Sequence, residues 1–162
     1  MRIRLLSVGT RMPGWVDEGF AEYAKRLPAE CALELREIEP GRRGRGRGKD
    51  SAADLDRIRH DEGDRLLKAV PDGALAVALD VRGRPWSTEQ LAAHLTGWLG
   101  SGRGVALLVG GPDGLSDACL ARAEQRWSLS PLTFPHPLVR VILAEQLYRA
   151  WSINKGHPYH RR

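Results

Sequence analysis

The sequence predicts an α/β fold in which helices flank a largely parallel sheet. Segments with the period of a strand alternate with segments with the period of a helix along the 162 residues, as in a parallel sheet with helical crossovers. Two strand segments are continuous apolar runs, which is typical of inner strands covered on both faces. No repeat or linker divides the chain, so we expect a single domain over residues 1–162.

The first half of the chain contains two predicted strands and two predicted helices. Residues 2–8, RIRLLSV, predict a strand. A helix is predicted over about 13–27, where apolar residues recur at helical spacing after a proline that suits a first turn. Residues 31–38, CALELREI, alternate as a half-buried strand does. A second amphipathic helix is predicted from residue 50 or 51 to about residue 70.

The second half continues the alternation. Residues 74–80, ALAVALD, and 104–111, GVALLVGG, predict two buried strands, the first ending in an acid and the second running into glycines. Between them, Ser87 is expected to cap a helix. A short helix over about 116–125 and a strongly apolar helix over about 137–152 complete the prediction.

The excess positive charge lies in one segment. The formal net charge is +5. The basic residues of GRRGRGRGK, residues 41–49, are Arg42, Arg43, Arg45, Arg47 and Lys49. Removing these five from the 25 basic residues leaves 20, which equals the number of acidic residues. Arginines spaced by glycines suit contacts with RNA phosphates, and a merely solvated loop is the alternative.

Two loops have the position and composition of a ligand site. In open parallel sheets, ligands bind beyond the carboxyl ends of the strands. LVGGPDGLS follows a buried strand, and its glycines allow a ligand to lie against the backbone; a tight turn without a ligand is the alternative. SLSPLTFP, residues 128–135, offers exposed peptide groups between apolar side chains. Neither a dinucleotide fingerprint nor a Walker lysine is present.

The chain ends in HPYHRR, which could be a metal site, a loose tail or part of an active site. His157 and His160 flank a proline, and neither a cysteine nor a carboxylate cluster accompanies them, so metal binding is the least favoured reading. No metal is therefore expected. Cys31 and Cys119 suggest no disulfide framework, and no apolar run approaches a membrane span. The short apolar run at the N-terminus is not expected to be a signal peptide. A cytoplasmic protein is expected.

The last predicted helix has apolar residues on more than one stripe, so it needs partners on more than one face. A second subunit provides such a partner, and a central position in a monomer is the alternative. Glu145 and Arg149 have the spacing of an intrahelical pair. Arg140 is therefore favoured as the functional arginine of this helix.

Three stretches carry a family resemblance. LLVGGPDGLS, LSPLTFPHPLVRVILAEQLYRAWSI and the ending HPYHRR resemble the RlmH (YbeA-type) family, which are small SPOUT-class methyltransferases. The similarity begins at VGTRMPGWVDEGFAEYAKRLP and covers essentially the whole chain. The basic segment departs from the pattern, because it is longer and richer in Arg-Gly than the family's usual one.

The resemblance implies a SPOUT-type parallel sheet with a C-terminal trefoil knot, an arrangement that topology rules alone would reject. It implies a homodimer that methylates N3 of a pseudouridine in 23S ribosomal RNA, with the assembled ribosome as substrate. It also implies S-adenosylmethionine as cofactor. The residues it assigns to the cofactor are Leu79, Gly110, Leu129, Ser130, Pro131, Leu132, Thr133 and Phe134. Pro131 has no amide proton, so only its carbonyl or its ring can contribute.

We hypothesise that the tail closes over the cofactor site, either in its own chain or from the partner subunit. Tyr159 would stack on the target base and His160 would accept the imide proton. The residues expected to contact RNA are Arg42, Arg43, Arg140 and Arg161. A non-catalytic factor that binds RNA or the ribosome is the alternative function, and the missing glycine fingerprint disfavours a nucleotide-dependent oxidoreductase.

Overall fold

The computed structural model describes residues 1–43 and 50–161. The strands are β1 (Arg2–Val8), β2 (Ala32–Ile38), β3 (Leu75–Pro85), β4 (Val105–Val109) and β5 (Gln125–Ser128). They form one sheet in the order β2-β1-β4-β3-β5, and every neighbouring pair is parallel. The helices are α1 (Gly14–Ala24), α2 (Ala52–Ala69), α3 (Thr88–Ser101), α4 (Asp117–Arg122) and α5 (His136–Lys155). The predicted α/β class with a parallel sheet flanked by helices is confirmed.

The two faces of the sheet are covered by different helices, because side chains alternate along each strand. Ile3, Leu5 and Val77 belong to a core shared with α1, α3 and α5. Leu6 and Ala76, each next to one of these residues in the chain, belong to a second core shared with α2 and α4. The central strands are therefore buried on both faces, as the apolar runs predict.

Serine side chains set the start of two helices. The Ser51 hydroxyl accepts a hydrogen bond from the Asp54 amide at 3.1 Å, and the Asp54 carboxylate accepts one from the Ser51 amide at 3.2 Å. Ser87 and Gln90 form the same reciprocal capping box at the start of α3. The prediction that Ser87 caps a helix is confirmed. No helix in the two described ranges is long and apolar enough to cross a membrane.

The end of β3 and the whole of β5 differ from the prediction. β3 continues past the predicted end at Asp80, because Leu79 and Arg84 both pair with Trp127 of β5. The four residues between them leave the ladder, and we call residues 80–83 the arch. β5 itself was not predicted, since three of the four residues of QRWS are polar and the strand pairs only with β3.

Candidate functional site

A cleft of about 440 Å³ opens at the carboxyl ends of β3, β4 and β5, where parallel sheets bind ligands. Its walls come from the end of β3, from the loop after β4 and from the segment between β5 and α5. We call it the strand-end cleft. Small-molecule sites have volumes of roughly 300–1,000 Å³, so the cleft has the size of a cofactor site.

Seven of the eight residues that the resemblance assigns to the cofactor line this cleft. They are Leu79, Gly110, Leu129, Ser130, Leu132, Thr133 and Phe134. Pro131 lies in the same segment, where it is exposed. The fold thus brings together three segments that are far apart in the chain.

The loop after β4 is a tight turn that requires glycine. Gly114 donates its amide to the carbonyl oxygen of Gly111 at 3.0 Å, and its φ of +84° lies in the region that favours glycine. A Cβ on Gly110 would lie 2.6 Å from the carbonyl carbon of Gly114. Backbone therefore packs directly on backbone here, and all three glycines line the cleft. We call residues 110–114 the glycine turn.

The facing segment is shaped by its own serines. The Ser130 hydroxyl oxygen accepts a hydrogen bond from the Leu132 amide at 3.0 Å, and the Ser128 hydroxyl donates to the Ser130 carbonyl at 3.3 Å. Leu132 is 70% exposed at the rim of the cleft. This wall therefore combines apolar side chains with backbone polar groups.

Two ionisable residues that were not predicted to belong to the site, Asp80 and His136, also line the cleft. Asp80 accepts a hydrogen bond from the Arg82 amide at 3.1 Å. His136 begins α5, where burial lowers the pKa of its imidazole and the nearby charge of Arg140 adds to the effect. A carboxylate and a neutral imidazole can each accept a proton. In the sequence, Asp80 could have been recognised as an acid that ends an apolar strand, whereas no pattern distinguishes His136.

Arg140 is completely buried near the start of α5. Its guanidinium donates to the Gly9 carbonyl at 2.8 Å, to the Glu37 carboxylate at 2.8 Å and to the Ser7 hydroxyl at 3.3 Å. These bonds join α5 to β1, to β2 and to the loop that follows β1. The arginine expected to contact RNA thus directs its donors at partners within the chain, a placement that favours positioning of α5.

Tyr159 of the tail packs on α5 of its own chain. Its hydroxyl donates to the Glu145 carboxylate at 3.0 Å, and its ring meets Tyr148 edge-on with 4.6 Å between centroids. Burial and the bond to Glu145 raise the pKa of Tyr159 to about 12. The phenol therefore stays protonated at neutral pH and acts as a donor. Glu145 also pairs with Arg149 at 2.5 Å, which confirms the expected intrahelical pair.

His160 lies at the start of α3, with its Nε2 atom 3.6 Å from the Glu89 carboxylate. Both ring nitrogens are buried and make no hydrogen bond to the described residues. Arg161 follows and is exposed. None of residues 157–161 lines the strand-end cleft of the same chain, so in this arrangement the tail leaves its own cleft open.

The base of the basic loop contacts the glycine turn. Arg43 pairs with Asp113 of that turn at 2.5 Å and with Asp50 at 3.3 Å. Arg42 is exposed. Residues 44–49, which carry the other three basic side chains of the predicted loop, lie outside the described residues.

Glu62 of α2 lies behind the same turn and is 2% exposed. One carboxylate oxygen accepts a hydrogen bond from the Gly41 amide at 2.9 Å. The other oxygen makes no hydrogen bond within the described residues and lies 3.2 Å from where a Cβ on Gly111 would be. Burial raises the pKa of Glu62, and the bond from Gly41 opposes that rise. Glu62 thus connects the base of the basic loop with the glycine turn.

Replacing Glu62 with glutamine is expected to remove a pH-dependent loss of stability. Because burial raises the pKa of the folded carboxyl, the folded chain keeps its proton where the unfolded chain has released it. The wild-type free energy of unfolding therefore falls as the pH rises through that window, and Glu62→Gln lacks this fall. Urea unfolding of both proteins from about pH 4 to pH 8 measures the difference.

Asp64→Asn, at an exposed carboxylate on the same helix, is the control for the pH series. A stability difference between Glu62→Gln and wild type that stays constant across the range would contradict the prediction.

Metal coordination has no support from the arrangement of side chains. Within residues 1–43 and 50–161, no group of three or more His, Cys, Asp or Glu side chains is placed to hold a metal ion. His157 instead accepts a hydrogen bond from the Tyr159 amide at 3.1 Å through its Nδ1 atom. Cys31 and Cys119 are both buried free thiols.

The chain is similar over its full length to several bacterial proteins. It is 62% identical over 161 residues to ribosomal RNA large subunit methyltransferase H of Thioalkalivibrio sulfidiphilus, covering 99% of both chains. It is 65% identical, with the same coverage, to the protein of that name from Alkalilimnicola ehrlichii. Among solved structures, a probable methylase family protein from Haemophilus influenzae Rd KW20 superposes with a TM-score of 0.52 at 11% identity. That match covers 99% of this chain and 70% of the other, and it bears on the fold alone.

The family described as "Predicted SPOUT methyltransferase" matches residues 1–160. This match spans the sheet, the glycine turn, the segment before α5 and nearly all of the tail. The chain therefore belongs to the SPOUT methyltransferase family.

Proposed function

We propose that this chain is an S-adenosylmethionine-dependent methyltransferase acting on ribosomal RNA of the large subunit. The observation that carries the proposal is the strand-end cleft, where the glycine turn faces segment 129–134 in a chain of the SPOUT methyltransferase family. Full-length relatives at 62% and 65% identity bear the name of that activity.

The cleft fits this cofactor in chemistry as well as in size. Leu129, Leu132 and Phe134 offer apolar surface for an adenine ring, and the peptide groups of both walls offer hydrogen bonds for its polar edge. A side chain on Gly110 would collide with the Gly114 backbone at 2.6 Å, so glycine is needed there for the turn to keep its shape as a wall of the cleft. When bound, the cofactor supplies a methyl group already activated on a sulfonium.

The chain's own residues must orient the acceptor nitrogen and remove its proton. The family resemblance implies that the acceptor is N3 of a pseudouridine in 23S ribosomal RNA, whose imide proton is weakly acidic. A nearby proton acceptor therefore helps the transfer. Asp80 and His136 line the cleft in this chain, and His160 of the tail is the third candidate. The target base must turn out of its stack to reach the cleft.

We propose a homodimer in which each tail completes the cleft of the partner subunit. Tyr159 and His160 lie against α5 and α3 of their own chain and not in its cleft. Apolar side chains early in α5 are only partly buried, which leaves a surface for a second subunit. They are Leu138, Val139, Val141 and Ile142.

Within such a dimer, the tail acts on the RNA bound at the partner's cleft. Tyr159 stacks on the target base and His160 accepts the imide proton. Arg161, Arg42 and Arg43 hold the phosphate backbone. Arg140 contributes through the placement of α5, because its guanidinium is buried against Ser7, Gly9 and Glu37.

The family resemblance also implies how the chain is threaded and how it is divided into domains. We propose that the C-terminal residues are threaded as a trefoil knot and that residues 1–162 form one domain. The adjacent positions of the glycine turn and segment 129–134 support the threading, and the two cores on one sheet support a single domain. Because the proposed substrate is ribosomal RNA, we also propose that the protein acts on the assembled ribosome and that it does so in the cytoplasm.

A non-catalytic RNA-binding factor is the second candidate function. The arginine-rich segment 41–49 favours it, since phosphate binding needs only positive charge. This alternative predicts no affinity for S-adenosylmethionine, so calorimetry with the cofactor alone separates the two functions.

The test of the proposed function is methyl transfer from labelled S-adenosylmethionine to 70S ribosomes, isolated subunits and free 23S ribosomal RNA. We expect transfer to one pseudouridine, identified by mass spectrometry, with intact ribosomes as the best substrate. Cofactor binding without transfer to any of the three substrates would overturn the proposal.

Deleting residues 157–162 is expected to leave cofactor affinity within about twofold and to lower methyl transfer by about 100-fold or more, the usual contribution of a general base. His157→Ala, at an exposed histidine of the same tail, is the control. Intact transfer by the deletion variant would contradict a function for the tail.

Mixed dimers distinguish closure by the partner's tail from closure within one chain. A tail-deleted subunit is paired with a Gly110→Ala subunit, which has a tail but a cleft with weakened cofactor binding, and the pair is assayed at a cofactor concentration that this cleft does not bind. Closure by the partner's tail restores one active site in this heterodimer, because the intact cleft meets the intact tail. If activity is not restored, the proposed exchange of tails is wrong.

A further inference from the structure

A second cleft lies at the β5 edge of the sheet, on the other side of the arch. Its volume is about 690 Å³, and it is bordered by the end of β3, by the start of β5 and by one side of α3. Arg82, Arg84 and Arg126 line it together with Trp86 and His94. We call it the arginine cleft. Nothing in the proposed cofactor chemistry uses these residues.

The charge of the arginine cleft is positive. Among the described residues, its only acidic lining residue is Glu124, which is held by Arg103 through two bonds of 2.6 and 2.9 Å. Arg82 is exposed, and its guanidinium pairs with the Asp80 carboxylate of the arch at 3.5 Å. The side chain of Arg84 makes no hydrogen bond or ion pair within the described residues, and Arg84 is exposed. Arg126 uses one nitrogen on the Leu120 carbonyl at 3.2 Å. Arg84 and the remaining donors of Arg126 are therefore free to face the cleft, whereas a phosphate bound at Arg82 replaces the Asp80 carboxylate.

A column of stacked rings ends in the same cleft. Trp127 stacks on Trp86 with 4.9 Å between centroids, and Trp86 stacks on His94 at 3.7 Å. Both faces of Trp86 are therefore covered, and His94 ends the column. The remaining surface of His94 lines the arginine cleft and the cavity next to it. An unpaired nucleobase has the flat shape that extends such a column.

The arch connects the two clefts. Asp80 and Val81 line the strand-end cleft, and Arg82 lines the arginine cleft. A groove between them is lined by all three of these residues. The arch is pinned to β5, because a Cβ on Gly83 would lie 2.7 Å from the backbone of Arg126. A continuous surface therefore leads from the cofactor walls to Arg82 and Arg84.

We propose that the arginine cleft binds the single-stranded RNA that flanks the methylated nucleotide. The strand leaves the strand-end cleft over the arch, its phosphates contact Arg82 and Arg84, and one unpaired base stacks on His94. Guanidinium groups beside an aromatic platform are the combination that single-stranded RNA requires. The proposal rests on the proposed function for the identity of the target nucleotide, and on the cleft alone for RNA binding.

The first experiment measures the salt dependence of RNA binding. A fluorescein-labelled single-stranded RNA of 12 nucleotides is titrated with wild type, Arg82→Ala/Arg84→Ala and His94→Ala over a series of KCl concentrations. Each phosphate contact on a single strand contributes about 0.7 to the slope of log affinity against log salt. We expect the double variant to lower that slope by about 1.4, which is two contacts. We expect His94→Ala to weaken binding by about fivefold or more with an unchanged slope.

Arg2→Ala is the matched control, because Arg2 is an exposed arginine at the amino end of β1, away from the clefts. It is expected to leave the slope unchanged. The proposal is overturned if the double variant matches wild type in slope and affinity, or if wild type does not bind the RNA.

The second experiment measures methyl transfer to 70S ribosomes. We expect Arg82→Ala/Arg84→Ala to raise KM for ribosomes by about tenfold, with S-adenosylmethionine affinity within about twofold. If wild type methylates no RNA, the proposed function fails while the salt series still tests the arginine cleft. If wild type methylates ribosomes and the double variant does so with the same KM, the inference alone fails. A raised KM with an unchanged RNA slope indicates a ribosomal protein as the partner and overturns it.

Discussion

Arg140→Ala is expected to lower the free energy of unfolding by about 3 kcal/mol. Arg140 is completely buried, and its guanidinium satisfies the Gly9 carbonyl, the Ser7 hydroxyl and the Glu37 carboxylate. Alanine leaves the two buried oxygen atoms without a donor and a void where the long side chain was. Equilibrium unfolding in urea, followed by circular dichroism, measures the loss.

Arg149→Ala on the same helix is the control for Arg140→Ala. Arg149 is partly exposed and pairs with Glu145 one turn away, and such pairs contribute less than about 1 kcal/mol. If both variants lose the same small amount of stability, then Arg140 is not the connection between α5 and the sheet that its hydrogen bonds indicate.

Gly110→Ala is expected to weaken binding of S-adenosylmethionine by between about fivefold and 100-fold. The added Cβ would lie 2.6 Å from the carbonyl carbon of Gly114, so the glycine turn must move. Overpacking of this kind costs about 1–3 kcal/mol, and about 1.4 kcal/mol corresponds to tenfold in affinity. Isothermal calorimetry with the purified variant measures the loss.

Gly97→Ala is the matched control for Gly110→Ala. Gly97 lies within α3, and a Cβ there meets no atom within 4 Å. Alanine at this position is expected to raise stability by about 0.5–1 kcal/mol and to leave cofactor affinity unchanged. Wild-type affinity in Gly110→Ala would show that the glycine turn is not a wall of the cofactor site.

The apolar pattern of the sequence was sufficient to predict most of the fold. Continuous runs such as ALAVALD identify buried inner strands, and Ser87 identifies a helix start from one side chain. β5 was missed, because a four-residue strand with three polar residues has almost no local pattern and depends on pairing with β3. The arch was missed for the same reason, since pairing with Trp127 on both sides defines it.

The candidate site was predicted unevenly. Glycines and the segment before α5 were found, because their composition is unusual in itself. Arg140 was expected to contact RNA, whereas the fold buries it; burial of a charge depends on partners far away in the chain, such as Ser7. The arginine cleft was missed, because counting charges along the chain favours a cluster such as 41–49 over Arg82, Arg84 and Arg126, which meet only in space.

The ion pair between Arg43 and Asp113 has a thermodynamic consequence. An RNA phosphate that takes the Arg43 guanidinium must displace the Asp113 carboxylate, which sits inside the glycine turn. RNA bound at Arg43 therefore changes the free energy of cofactor binding beside the glycine turn. Linkage requires the effect to be mutual and of equal size: whatever RNA does to cofactor affinity through this contact, the cofactor does to RNA affinity.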